Sequence, residues 1–168
     1  ISLFAAGFLG FPLITMHADK TGMLSRETLP LIYSGAMAVD AFAALAFGWM
    51  YDKYGIKVLI ISTFLAAPSA ALVFGCSNIY MLMAGVALWG IGMGAQESIL
   101  KSAVATLIPK EKRSAGFGIF QTAFGICFFL GSWLTGYLYD NTITGMIIFS
   151  VAMQILSIPF FLLADSFF

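Results

Sequence analysis

Three ionisable side chains stand where a bilayer would make them costly, since Asp40, Glu97 and Lys101 each lie inside a long apolar run. A charge at mid-membrane costs about 2.5 to 3.5 kcal/mol on insertion scales, so such groups point by default to an ion or solute path. Lys101 follows Glu97 by four residues, so on a helix both project from one face and can pair. Two readings of the pair stay open. It can be a self-neutralising couple that lets a polar helix insert, with Lys101 reaching toward the aqueous boundary. Alternatively, its face lines a water-filled path in which Glu97 or Asp40 binds a proton or cation and Lys101 holds the counter-charge or an anionic group of a substrate. Gln96 and Ser98 flank Glu97, and Gln121 in a later run can hydrogen-bond a neighbouring helix or the substrate.

These residues need helices that cross a membrane to place them. The 168-residue chain is 61% hydrophobic and 10% charged, with zero net charge; soluble domains carry about 25% charged residues. It is therefore read as a polytopic membrane protein, with no case for a nucleic-acid partner or an acidic tail. A hydrocarbon core about 30 Å thick needs roughly 20 helical residues to cross. On that ruler the spans are 1–16 (incomplete), 29–51, 58–75, 79–108, 115–139 and 143–164. Thr28 before Pro30 looks like a capped helix entrance, and Pro109 ends the fourth span. Pro12, Pro68 and Pro159 predict kinks within spans. Gly85, Gly90, Gly92 and Gly94 precede Glu97, and Gly116, Gly118, Gly125, Gly131 and Gly136 punctuate the fifth span. Glycines in spans permit close helix contact or a bend. Trp49, Trp89 and Trp133 are read as lipid-facing or packing surface. Cys76 and Cys127 fall at different membrane depths, so no disulfide is expected between them.

Orientation follows from the basic residues of the short loops, which are retained on the cytoplasmic side. Lys53 and Lys57 follow the second span, and Lys110, Lys112 and Arg113 follow the fourth, so loops 52–57 and 109–114 are cytoplasmic. Residues 17–27, 76–78 and 140–142 then face outward, which puts His17, the only histidine, in a solvated outer loop. An echo joins the two halves of the chain: Gly48-Trp49-Met50-Tyr51-Asp52 ends the second span, and Gly136-Tyr137-Leu138-Tyr139-Asp140 ends the fifth. Three spans apart, the copies lie on opposite faces, as an inverted pair of three-helix units requires.

The turn at residues 48–57 is tight, and Gly55 can take the left-handed backbone such a reversal needs. Asp52 closes the helix before it and faces Lys53 and Lys57. Gly48, Asp52, Lys53, Gly55 and Lys57 form the pattern Gly-x-x-x-Asp-Lys-x-Gly-x-Lys, which resembles the loop motif of the major facilitator superfamily of secondary transporters, with Ile56 where that family usually has a base. The stretches 90–101, 109–116 and 125–140 look like helices ten and eleven of such a protein. The resemblance implies an all-α half-bundle, helices seven to twelve with the seventh cut short and the N-terminal six-helix half absent. It further implies a central cavity into which Gln96, Glu97 and Lys101 look, flanked by the Asp40 helix. It gives the residues of the loop, with Arg113 in the next cytoplasmic loop, a gating role. The chain begins at Ile1 inside an apolar run without a basic leader, so it is expected to be part of a longer chain or to work with a second copy of itself.

The expected function is secondary active transport of a small solute by alternating access, coupled to a proton or other ion, in a prokaryotic plasma membrane. A non-transporting scaffold or receptor-like bundle is the alternative. An enzyme is not expected: Tyr51-Asp52 and Tyr139-Asp140 lie at span ends without the Gly-x-Gly-Asp of an intramembrane aspartyl protease, and no Gly-x-Ser-Gly accompanies His17. No cluster of His, Cys or carboxylates suggests a metal, and no cofactor is implied.

Overall fold

Apolar runs in which backbone groups must find partners without water favour helices. The computed structural model describes residues 2–165, and among them it is helical with no strand. α1 is Ser2–Gly7, α2 Phe11–Lys20, α3 Leu29–Tyr54, α4 Val58–Ala66, α5 Ser69–Gly75, α6 Ile79–Leu107, α7 Arg113–Asn141 and α8 Ile143–Asp165, with short 3₁₀ turns at Gly55–Lys57 and Lys110–Lys112. Ile79–Thr106, Lys110–Asn141 and Ile143–Leu163 are each long and apolar enough to cross a membrane, and Leu29–Gly75 is an apolar stretch of 47 residues. As one straight helix that stretch would run about 70 Å, more than twice the hydrocarbon thickness. It folds back at Gly55 instead, where φ is 66° and ψ is −152°. The positive φ expected of this glycine is present, in an extended form essentially open to glycine alone.

The packing repeats itself. α1 lies against α7 and α8, while α6 lies against α3 and the α4–α5 pair; α8 meets α4 and α5. Exchanging α1–α2 with α6, α3 with α7 and α4–α5 with α8 maps these contacts onto one another. That is the pairing two inverted three-helix units produce, and it puts the two Gly-x-x-Tyr-Asp strings at equivalent helix ends. The α3–α6 contact is the most extensive, and backbones nearly touch there. A Cβ on Gly90 would stand 2.7 Å from the Ala36 carbonyl oxygen, one on Gly94 would overlap the Asp40 carbonyl oxygen, and one on Gly48 would reach 2.8 Å from Ser98 Oγ. Contacts advance in the same sense along both helices, so α3 and α6 run parallel. Gly131 of α7 lies as closely on the backbone of Ala6. Small residues of this kind let helices approach where lipid provides no hydrophobic drive between them.

Several expectations need correction. The first span is two helices, separated at residues 8–10, and the second of them runs on past the apolar run that ends at Met16, as far as Lys20. Pro12 opens α2, in the first turn where its missing N–H is harmless, instead of kinking a continuous helix. The third span likewise divides at Ala67 and Pro68, whereas Pro159 lies inside α8 without ending it. Thr28 holds the capping position of α3, but its hydroxyl donates back to the Ser25 carbonyl at 2.8 Å and caps nothing. α3 continues past Asp52 to Tyr54.

Candidate functional site

The break in the first span is held open by its neighbours. Helix ends leave carbonyls without intrahelical donors, and in a dry interior other groups must serve them. Trp89 Nε1 of α6 donates to the Leu9 carbonyl at 2.7 Å, and Ser150 Oγ of α8 donates to the Gly7 carbonyl at 2.6 Å. Gln154 Nε2 donates in turn to Ser150 Oγ at 3.3 Å. The Trp89 ring packs on Phe8 and Phe11, with centroids 5.8 and 5.1 Å away. Trp89 is therefore a positioning residue, 4% exposed, and not lipid-facing surface.

This break forms one wall of a chamber of about 720 Å³, closed further by Tyr33 and Met37 of α3, Trp89 and Glu97 of α6, and Ser132 and Thr135 of α7. Beside it lies a smaller cavity of about 270 Å³ lined by Gln96, Glu97 and Lys101 of α6 and by Phe120, Gln121 and Phe124 of α7. Met93 and Glu97 belong to both walls, so the carboxylate stands at their boundary. Four of the five residues expected to bind substrate or ion, Gln96, Glu97, Lys101 and Gln121, thus converge on one cavity. Lys101 Nζ donates to Glu97 Oε2 at 3.2 Å, and both side chains are about half exposed. Gln96 is 5% exposed, and its amide nitrogen has no hydrogen-bond partner.

Asp40 is placed differently. It lines neither cavity; its backbone lies against Gly94 at the α3–α6 crossing. One carboxylate oxygen is buried with no hydrogen-bond partner, and the charge lies within electrostatic reach of Glu97 first and Lys101 second. The ionisable set is therefore two carboxylates and one ammonium, with only the Glu97–Lys101 pair in direct contact.

The loop residues separate into distinct tasks. Gly48 serves the α3–α6 approach, and exposed Asp52 lies in the last turn of α3. Lys53 Nζ stands 5.5 Å from the Trp49 ring centre and 5.2 Å from that of Tyr54, cation–π geometry that draws its ammonium to aromatic faces. Gly55 makes the reversal, Ile56 of the 3₁₀ turn is buried against the bundle, and exposed Lys57 ends the turn. Arg113 Nε donates to the Ile108 carbonyl at 3.2 Å, tying the start of α7 to the end of α6.

His17 is the clearest departure from expectation. It is buried rather than loop-borne, because α2 runs on past the apolar run ending at Met16 and carries it between Phe74 of α5 and Tyr139 of α7, at the end of the bundle where Lys20 and Asp140 meet. Its Nδ1 shares a 2.9 Å hydrogen bond with the Tyr139 hydroxyl, and its ring packs on Phe74. Lys20 reaches Asp140 at 3.9 Å and lies over the Tyr139 ring. Burial, and secondly the Lys20 charge, hold His17 below the ordinary histidine value. A lowered folded-state value means that this contribution to stability is intact above the ordinary value near 6.5 and is lost as pH falls through the folded one. Melting temperature should therefore fall between about pH 8 and about pH 5, and His17→Phe should flatten that part of the slope; an unchanged slope would show that His17 is not its source.

Sequence reading gave Trp89 as lipid-facing or packing surface, of which packing holds, without its hydrogen bond to the break, and it passed over Ser150 and Gln154. The available signal was Gly10-Phe11-Pro12, a glycine and a proline bracketing one residue inside an apolar run.

The family model described as Major Facilitator Superfamily matches residues 1–167. An uncharacterized protein of Mycobacterium tuberculosis is 34% identical over 152 residues, covering 90% of this chain and 37% of its own length. An uncharacterized protein of Mycobacterium bovis matches to the same extent. An uncharacterized MFS-type transporter of Methanocaldococcus jannaschii is 26% identical over 117 residues, or 67% of this chain and 30% of that protein. The chain spans little more than a third of the length of the mycobacterial relatives.

Proposed function

We propose that this chain, which belongs to the major facilitator superfamily, is the C-terminal six-helix half of a secondary active transporter that moves a small solute by alternating access. The chain is a membrane protein of a transporter family, and the mycobacterial relatives suggest a prokaryotic cell membrane. One observation carries the reading: Gln96, Glu97, Lys101 and Gln121 come from two helices to one cavity beside a broken helix. Polar groups at mid-bilayer and a discontinuous helix at the same depth are the usual construction of a transport site. An N-terminal half would close the cavity from the other side. Asp40 and Glu97 are the candidate proton or cation carriers, with Gln96, Lys101 and Gln121 holding substrate.

Alternating access needs two closures of similar free energy, and a proton on a cavity carboxylate changes which is cheaper by removing a charge. The turn of Gly48, Asp52, Lys53, Gly55 and Lys57, with Arg113, would contribute to the latch on the cytoplasmic side. Lys53 stacked on Trp49 and Tyr54 is the arm that would have to move.

In proteoliposomes holding the full-length protein, an imposed pH gradient should drive solute accumulation that collapses when a protonophore dissipates the gradient. Accumulation indifferent to the gradient would remove proton coupling, and absence of any saturable flux would remove transport.

A further inference from the structure

We propose that the solute is an organic monoanion with an apolar body, a carboxylate by preference, which enters together with one proton because the two trade places across the Glu97–Lys101 pair. This rests on the reading of the chain as half of a proton-coupled transporter, and it specifies the substrate class of that site.

The smaller cavity presents donors. Lys101 contributes an ammonium, and Gln96, itself 95% buried, presents an amide nitrogen with no partner. A buried donor without an acceptor is costly, and an acceptor on a ligand relieves that cost. An oxyanion satisfies the amide and the ammonium at once, as charge-assisted hydrogen bonds do. The adjoining larger chamber is walled by Phe8, Phe11, Trp89, Met37 and Phe128, a surface suited to an aromatic or branched apolar body. Since the walls meet at Glu97, a head in one cavity and a body in the other belong to one elongated molecule.

Charge then decides the coupling. Glu97 and Lys101 neutralise each other at 3.2 Å. An anion arriving at the pair meets the Glu97 carboxylate, and Lys101 already has a partner. When Glu97 takes up a proton, the ammonium is released from it and can accept the ligand's carboxylate. One proton and one anion enter together, so the loaded and empty sites carry the same charge. The step is electroneutral and should not respond to membrane potential.

Three probes sharing one apolar body separate the possibilities: 3-phenylpropionate, 3-phenylpropanamide and 3-phenylpropylamine, measured by equilibrium binding to the purified full-length protein across pH. Wild type should bind the carboxylate, up to about tenfold more tightly for each unit of falling pH while one proton is taken up. Glu97→Gln should bind it at neutral pH as wild type does at acid pH. Lys101→Gln should lose at least about tenfold, with Lys101→Arg restoring part of it and amide binding to both variants serving as the folding control. Preference for the amine, or carboxylate binding indifferent to Lys101, overturns the anion assignment while leaving a transporter. Uptake driven by membrane potential alone overturns the electroneutral step. Binding of none of the three overturns the inference, and the gradient assay above separately decides whether transport itself stands.

Discussion

Gly94→Ala is expected to unfold or badly loosen the bundle, although the change adds a single methyl group. The added Cβ would overlap the Asp40 carbonyl oxygen and lie 2.9 Å from the Ala44 nitrogen. Both are backbone atoms within a regular helix, so neither can rotate away as a side chain would. α3 and α6 must then separate along their most extensive contact. Overpacking of this kind costs about 1 to 3 kcal/mol, and a rigid neighbour puts it at the upper end. Gly131→Ala should behave alike, because its Cβ would strike the backbone of Ala6. Gly118→Ala and Gly136→Ala are the controls, with nothing within 4 Å of either added Cβ. They should be neutral, or stabilising by up to about 1 kcal/mol from helix propensity. Cys76 and Cys127 are free and half-buried, so melting followed with a thiol-reactive dye would report all four variants. Equal losses across the four would mean that backbone proximity is not what these glycines serve.

That contrast also separates what the residues announced from what they could not. Helix identity and the apolar stretches long enough to cross a membrane were legible because length and apolarity act locally, each within a stretch of about 20 residues. The spacing of Glu97 and Lys101 placed them on one face, and the structure pairs them at 3.2 Å. Which glycines bear contacts was not legible: Gly94 and Gly118 look alike in sequence, and only the crossing of α3 over α6 distinguishes them. Asp40 was set beside Glu97 as an equivalent candidate, yet it lies at the helix crossing and not in the cavity wall. His17 was misread because a polar residue after an apolar run resembles a loop, whereas its partner Tyr139 is 122 positions away. The hydrogen bond of Trp89 was hidden for the same reason, since its acceptor is the Leu9 carbonyl of a helix end that periodicity does not mark.

Replacing both members of the central pair, Glu97→Gln with Lys101→Gln, should abolish gradient-driven accumulation by at least about a hundredfold while leaving the fold about as stable as wild type. Transport-state interactions with charged groups are worth about 1.5 to 3 kcal/mol each, and the double variant removes two of them together with the proton carrier. Stability should barely move, because an ion pair whose side chains are about half exposed contributes only about 0 to 1 kcal/mol and the glutamines leave no charge unpaired. Single changes are harsher on the fold than the double. Glu97→Gln leaves Lys101 charged without its partner at 3.2 Å, while Lys101→Gln leaves two carboxylates, Glu97 and Asp40, facing each other electrostatically. The expected order of melting temperature is therefore double variant close to wild type, and both singles below. If the double variant still accumulated solute against a gradient, the pair would be a device for inserting a polar helix, and the coupling charge would have to be Asp40, whose unpartnered buried oxygen would then be the place to look.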